Sequence, residues 1–369
     1  MADMNITAAR SGLVPKAWSE KFFTEYVRKN QFARYMGTGM SSLIQVREDL
    51  TRKAGDTVVF ATVRRLVGAG VTGNQILEGN EELLNLRSLE LPVGVIRHAV
   101  AASDWDEQKS IIDILDAARD ALQVWSLEKM RADIILSLTA VTADGNTQIA
   151  YASASAGQRN TWLVNNSDRV LFGASKSNAV SGVMATALAT VDATNDKLTA
   201  SQVSLAKRIA KTANPRIRPI TVKDDEEWFV MFANPYSFRD LQNDPVIINS
   251  RQYAAARGED NPLFTGGDVI WDGVIVREVP ELAAISGVGA SSIDVGMNLL
   301  CGAQALGVAW AQRTKTTTNV RDYGFMTGTG IMEIRGIGKL RFGTDASVDG
   351  TTPKDAGIVT VFSAAAADA

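Results

Sequence analysis

The chain has 369 residues, 46% of them apolar, with a formal net charge of -3 and an isoelectric point near 5.5. That is ample apolar material for a sizeable core spread over two or three domains, and too balanced a charge to announce a nucleic-acid-binding protein. One cysteine, Cys301, and one histidine, His98, exclude an intramolecular disulfide framework and a His/Cys zinc site, while the lack of any apolar run of ~18 residues or of an apolar leader core makes the chain an expected soluble, unexported protein of a reducing compartment.

Residues 1–55 carry nine Lys or Arg against five Asp or Glu and are dotted with glycines and isolated aromatics, among them Trp18, Phe22, Phe23, Tyr26, Phe32 and Tyr35. This is the composition of an arm that packs on something other than its own core, with a short amphipathic helix predicted over 22–35 from the spacing of Phe22, Tyr26 and Ala33. Residues 56–100 read as an extended hairpin. The outgoing strand is the β-branched run over 57–63, which ends at Arg64-Arg65. A Gly-rich tip over 67–82 follows, and the return strand places Leu89, Leu91, Val93 and Val95 on one face, with Pro92 marking it as an edge. Arms and two-stranded ribbons cost conformational entropy that contacts must offset, and neighbouring copies are the natural source of those contacts.

Ser103 is placed to cap a helix over 104–140, with Asp104, Asp106 and Glu107 in its first turn, where the helix dipole favours negative charge. Ile111, Leu115, Ala118, Leu122, Trp125 and Ile134 form its apolar stripe, and Leu122 and Trp125 are expected to bury against the sheet of their own subunit. At about 50 Å such a helix is a spine rather than a core helix. Residues 142–195 are rich in small and polar residues, with Trp162-Leu163-Val164 and Val170-Leu171-Phe172 as the strand or anchor segments. A helix over 198–211 capped by Thr199 then opens an α/β unit: a buried strand over 228–232, a helix with Pro235 at its first position, and strands over 268–279 and 299–310. The second of these uses Gly302, Ala303, Ala305 and Gly307 where neighbours approach closely. The last strand sets Met332, Ile334, Leu340 and Phe342 on one face against Glu333, Arg335, Lys339 and Arg341 on the other, and the Ala-rich end beyond it is expected to be a mobile tail.

Groups able to do chemistry are sparse. His98 stands beside Arg97, whose charge opposes imidazole protonation, and no cysteine is near in sequence. Two Ser-x-x-Lys matches, Ser126 to Lys129 and Ser204 to Lys207, lie in predicted helices without the companion motifs of the enzymes that use them. The Gly-rich stretch over 324–338 lacks the spacing of a phosphate loop and reads as bends around a sheet edge. Asp224-Asp225-Glu226-Glu227 reads as an acidic turn before a buried strand, since no EF-hand spacing follows. Arg64 and Arg65, without interleaved aromatics, fit a charge contact between subunits better than a nucleic-acid site, and Glu78, Glu81 and Glu82 on the other side of the tip complete that candidate set. No catalytic, cofactor-binding or metal-binding residue is assigned, and no cofactor is expected.

The order of parts resembles the major capsid proteins of tailed bacteriophages, in particular the N4-like podophage group. The run Phe229-Val230-Met231-Phe232-Ala233-Asn234-Pro235-Tyr236-Ser237-Phe238-Arg239-Asp240-Leu241 is similar to that family's strand-to-helix signature. Phe264-Thr265-Gly266, Trp271-Asp272-Gly273-Val274-Ile275-Val276, Gly302-Ala303-Gln304-Ala305, Asp322-Tyr323-Gly324 and Ile337-Gly338-Lys339-Leu340-Arg341-Phe342 follow in the family's order. The resemblance implies a mixed α/β (α+β) capsid fold: an N-terminal arm (1–55), an extended loop (56–100), a peripheral domain (101–197) holding the spine helix 104–140, an axial domain (198–318), return strands of the peripheral domain (319–345) and a C-terminal tail (346–369). It implies a structural role with no enzymatic one. The chain would assemble with itself, as pentamers and hexamers of an icosahedral shell around double-stranded DNA in the virion. Its partners would be scaffolding, portal and decoration proteins and, by weak non-specific contact, the packaged DNA, with no membrane and with assembly in the host cytoplasm. An encapsulin-like compartment shell is the alternative within the fold, and a cytoplasmic α/β hydrolase using Asp240 or Ser204 the alternative of another class.

Overall fold

The computed structural model describes residues 31–48, 55–63, 68, 70–74, 76–82, 86–110, 113–142, 148–179, 181–221, 226–255, 268–343 and 353–366. The described chain forms two compact units. The smaller takes Val95–Lys129 and Thr314–Glu333; the larger takes Gln31–Gly94, Met130–Arg313 and the chain from Ile334 onward.

A single 3-10 turn (Ala33–Tyr35) and the short strands β1 (Met36–Gly37) and β2 (Ile44–Arg47) open the larger unit. The described part of the arm packs on its own subunit. Phe32 is fully buried edge-on to Phe232, at 5.0 Å between ring centroids, Tyr35 meets the same ring at 5.7 Å, and β2 pairs in parallel with residues 306–309. These aromatics fill their own subunit's core, a destination that composition alone did not reveal. Of the helix predicted over 22–35, only the end is described, and it is the 3-10 turn; the rest lies outside the described residues.

Strands β3 (Thr57–Val63) and β4 (Leu86–Pro92) form the antiparallel ribbon, from Thr57 opposite Pro92 to Val63 opposite Leu86. The return face does not run on to Val95 as predicted: the chain leaves the ribbon at Val93, and β5 (Gly94–Ser103) joins another sheet with Val95 exposed. The ribbon's base rests on its own subunit, since Val58, Phe60, Leu89 and Leu91 cluster with Ala309 and Leu340.

Ser103 caps α1 (Asp104–Lys109) by accepting a hydrogen bond from the Asp106 amide. The predicted 104–140 helix is interrupted after Lys109 and resumes as α2 (Ile114–Thr139). The Asp113 carboxylate accepts from the amides of Leu115 and Asp116, each at 3.0 Å, and so supplies a second N-cap that competes with continuation. With 26 residues, α2 is about 39 Å long rather than about 50 Å. Leu122 is buried as expected, whereas Trp125 is only half-buried and lies over the His98 ring at 4.7 Å.

The stretch left open by composition folds as β6 (Val141–Thr142), β7 (Gln148–Ile149), α3 (Ala156–Asn165), β8 (Val170–Phe172) and α4 (Met184–Leu188). Trp162-Leu163-Val164 is helix rather than strand, because Ser155 and Gln158 form a reciprocal capping box one turn upstream. Next come α5 (Ala200–Thr212), capped by Thr199 as predicted, β9 (Ile220–Thr221), β10 (Glu227–Ala233), α6 (Pro235–Gln242) and α7 (Pro245–Ala255). The single strand predicted over 268–279 is a hairpin, β11 (Val269–Trp271) and β12 (Val274–Glu278), turned by Asp272 and Gly273 with φ of 47° and 69°. The strand predicted over 299–310 divides into β13 (Val295–Cys301) and β14 (Leu306–Arg321). A Cβ on Gly302 would lie 2.3 Å from the Arg218 carbonyl, so the small residues there permit a chain reversal against residue 218. The chain closes with β15 (Met326–Lys339), β16 (Arg341–Gly343), β17 (Pro353–Asp355) and β18 (Ile358–Ala364).

The main sheet of the larger unit runs β11-β12-β10-β13-β18-β8, with β9 beside β10. Both its faces are covered. Val230, Phe232, Leu299 and Phe362 enter the core that holds Phe32, Trp162 and Leu138, while Phe229, Met231, Leu300 and Val361 enter the core built on α5 and α6. This overturns the mobile tail: all seven residues of β18 are buried, and the strand sits between β13 and β8. The Ala-rich end concealed Ile358-Val359-Thr360-Val361-Phe362, the continuous apolar and β-branched run of a strand covered on both faces. In β15 the predicted facing is inverted, with Glu333, Arg335 and Lys339 buried and Met332 and Ile334 half-buried. Most of the glycine stretch over 324–338 is strand too, and a Cβ on Gly336 would lie 2.1 Å from the Pro92 carbonyl.

Phe362 stacks on Phe172 with ring centroids 4.9 Å apart in this dry core. Phe362→Ala is expected to cost about 3–5 kcal/mol, read by chemical denaturation. Deletion of the chain after Gly343 is expected to abolish soluble expression, and a stable soluble product would show that β18 is dispensable.

Candidate assembly surfaces

At the ribbon tip the predicted acidic residues act first on their own backbone. Glu82 accepts from the Gly68 amide at 2.6 Å, across the ribbon, and Glu81 from the Gly79 amide at 2.8 Å. The Asn80 side-chain amide donates to the Ile76 carbonyl at 3.0 Å and its backbone amide to that of Leu77 at 2.9 Å, which closes the turn. Gly70, Gly73 and Gly79 all take positive φ, as a tip this tight requires. Glu78 is exposed and unbonded. The same turn displays Ile76 and Leu77, 74% and 61% exposed, an apolar pair that the sequence reading passed over because it weighed only charge. Arg64 and Arg65 lie outside the described residues.

In the smaller unit, β5, β15 and the outer half of β14 form a sheet. The Thr314 hydroxyl donates to Glu333, and Thr317 to the Gly330 carbonyl; a Cβ on Gly330 would approach that of Ala99, and one on Gly328 that of Ala101. These contacts set rows across the sheet, Thr317-Gly330-Ala99 and Asn319-Gly328-Ala101, with Lys315, Met332 and Arg97 as the next row by strand alternation. One face carries buried Thr329, Ile331 and Glu333, and on it His98 meets Trp125 of α2. The opposite face presents Arg97, Lys315 and Arg321, none of which bonds any described residue, around the small residues Ala99, Ala101, Gly328 and Gly330, with Met326 and Met332 on either side of the two glycines. On the β2 side, pairing with β14 ends at Ala309 opposite Arg47, so residues 312–321 form an open edge among the described residues. At the far end Trp105, with Lys109 4.4 Å above its ring, and Phe325 line a shallow open depression beside Asp104 and Glu107.

The larger unit buries its charges in a network around Asp355. The Lys339 ammonium contacts its carboxylate at 2.9 Å with both side chains almost fully buried; the Trp162 indole donates to the same oxygen at 3.2 Å, and Lys339 also lies over the Trp162 ring. Arg169 donates to the Asp355 carbonyl and, at 3.2 Å, to Asp168, which also binds Lys354 at 3.1 Å. Burial raises the Asp168 pKa, but hydrogen bonds from Arg169, the Asn214 amide and Lys354 outweigh it and hold the carboxyl below its usual range. Burial pushes the Arg341 guanidinium down to about 10, opposed by Asp355.

The residues weighed for chemistry do not converge. His98 is on β5, Ser204 on α5, Asp240 on α6 and Cys301 on β13. Ser204 accepts a hydrogen bond from the Trp271 indole, Lys207 is held by Asp272 at 2.8 Å, and burial pushes the Cys301 thiol up to about 12. Burial also raises Asp240, against the nearby charges of Lys197 and Arg239. Asp224 and Asp225 lie outside the described residues, and Glu226 and Glu227 are taken up by the Trp228 indole and Lys211. Among the described residues no helix is long and apolar enough to cross a membrane.

The comparisons identify the family to which this two-faced sheet and ordered ribbon tip belong. Residues 6–367 match the phage capsid protein family, and the chain belongs to it. It is a structural major capsid protein of a tailed phage. The major capsid protein of Pseudomonas phage KPP25 is 29% identical over 357 residues, covering 94% of each chain. A chain of the cyanophage Pam1 capsid is 36% identical with a TM-score of 0.86, covering 99% of this chain and all of that one. The capsid of Ralstonia phage GP4, at 23% identity and a TM-score of 0.74 over 99% of both chains, shares the fold. These likenesses do not favour the compartment shell or the hydrolase.

Removal of one partner from the Lys339–Asp355 pair leaves a buried charge uncompensated. Asp355→Ala is therefore expected to destabilise the subunit by about 3–5 kcal/mol, and Lys339→Met with Asp355→Leu to recover much of that loss; urea unfolding of the three proteins checks this. Asp168 has a folded pKa below its unfolded one, so its stabilisation is complete above the ordinary carboxylate range and is lost as pH falls through the folded value. Melting temperatures of wild type and Asp168→Asn should differ at neutral pH and converge in acid; a constant gap would exclude that linkage.

Proposed function

We infer that many copies of this chain close into an icosahedral shell of pentamers and hexamers around the double-stranded DNA of a tailed phage, assembled in the host cytoplasm. The observation that carries the reading is the end-to-end likeness to a chain of the Pam1 capsid, at 36% identity over 99% of this chain. The ribbon tip supports it, since an ordered turn that exposes Ile76 and Leu77 gains by burial against another copy. Scaffolding, portal and decoration proteins are the accessory partners in this proposal, and DNA is held by weak non-specific contact. The division into an axial domain (198–318) and a peripheral domain (101–197 with 319–345) belongs to the same reading. So does the absence of catalysis, supported by the separate engagements of Ser204, Lys207 and Cys301. Arg64, Arg65, Glu78, Glu81 and Glu82 are the proposed contacts between subunits.

Electron microscopy of the expressed protein, with a scaffolding protein supplied, is expected to show closed shells or tubes tens of nanometres across. A monomer or dimer under every such condition would sink the reading. In Arg64→Glu with Arg65→Glu, subunit melting is expected to stay nearly unchanged while closed particles are lost or dissociate at raised salt, because exposed pairs are worth only about 0–1 kcal/mol each but recur around every capsomer.

A further inference from the structure

We propose that Lys339 and Asp355 condense into an intramolecular amide, a covalent modification that ties the end of β15 to β17. Their side chains are 1% and 2% exposed, and the Lys339 Nζ lies 2.9 Å from Asp355 Oδ2. A nucleophile and an acyl group are thus held in contact away from water. Intramolecular positioning of this kind is worth effective concentrations of about 10⁵–10⁸ M, enough to favour an amide that bulk water opposes. Neither group can swing away. The Lys339 backbone exchanges two hydrogen bonds with the Gln148 side chain, at 3.0 and 3.3 Å, while the Asp355 amide donates to Asn166 at 2.9 Å and its carbonyl accepts from Arg169.

The surroundings fit the product better than the ion pair. A buried ion pair needs its remaining protons and lone pairs satisfied. Here Asp355 Oδ1 is buried with no hydrogen-bond partner, and the ammonium, with three protons to give, donates one hydrogen bond among the described residues. An amide lacks Oδ1 and keeps one N–H. Its carbonyl oxygen, the former Oδ2, retains the hydrogen bond from the Trp162 indole at 3.2 Å. The Lys207–Asp272 pair is equally close, at 2.8 Å, but its side chains are 19% and 46% exposed, so water competes for both groups and no condensation is expected there.

The step needs no oxidant, reductant or added reagent. The ammonium gives one proton to Oδ1, and the freed Nζ lone pair adds to Cγ. In the tetrahedral intermediate the negative charge sits on Oδ2, under the Trp162 N–H, which acts as an oxyanion donor. A second proton passes from nitrogen to Oδ1, the Cγ–Oδ1 bond breaks, and water leaves as the carbonyl to Oδ2 re-forms.

The test is peptide mapping by tandem mass spectrometry of the folded full-length chain after trypsin. A linked chain is expected to resist cleavage after Lys339 and to yield one branched peptide joining residues 336–341 to 355–369, lighter than the two parts by one water. Residues 207 and 272 should remain unlinked. The branched peptide should be absent from chain held in urea and should appear on refolding. Trp162→Phe, which keeps a ring but loses the N–H, is expected to slow its appearance at least about tenfold. Lys339→Met with Asp355→Leu, built to fold without either group, should never give it. Cleavage after Lys339 in the folded wild-type chain after days of incubation, with both peptides at their sequence masses, would overturn the proposal. So would a loss of water confined to the 355–369 peptide alone, which marks cyclisation of the aspartate on its own backbone.

Discussion

Asp355 is the point on which the larger unit is hung. Its carboxylate binds Lys339 at the end of β15 and the indole of Trp162 in α3, its amide donates to Asn166, and its carbonyl accepts from Arg169 at the start of β8. The stretch 162–169 and Lys339, far apart in sequence, thus share one residue, three positions before β18 enters the main sheet. A buried ion pair of this kind contributes little net stability over an apolar replacement. What it adds is direction. An ammonium and an indole N–H that must both reach one oxygen fix where β15 ends, and hence where the next strands begin.

What the sequence made legible was local. Ser103 and Thr199 cap their helices because the capped amides lie three residues away, and Pro235 fits the first turn for the same reason. The Asp272-Gly273 turn and the Asp113 cap were equally local but were overlooked inside longer periodic runs. The rest depended on partners far along the chain. Whether the charged face of β15 looks outward cannot be read from alternation when Asp133 and Asp355 wait inside for Arg335 and Lys339. Phe32 looked like part of a tether until Phe232 supplied its pocket.

The candidate assembly surfaces show the same division. The charges of the tip were visible in sequence, yet their first task is intramolecular: Glu81 and Glu82 hold the glycine amides that would otherwise leave the turn loose. The basic sheet face was invisible, because Arg97, Lys315 and Arg321 are scattered over more than two hundred positions and meet only when β5, β14 and β15 pair. Small residues at 99, 101, 328 and 330 read as weak strand formers, and only strand pairing sets them in adjacent rows of one face.

The place of β18 bears on the order of events during synthesis. Its partners β13 and β8 have left the ribosome well before residues 358–364 are made, and until then the middle of the main sheet stays open along two edges. A nascent chain therefore cannot complete the core against which the ribbon's own subunit is built, and a chain cut short by truncated messages or proteolysis lacks the strand that joins the two halves. Strand placement thus makes closure of the larger unit's main sheet wait on residues 358–364, whatever else has already folded.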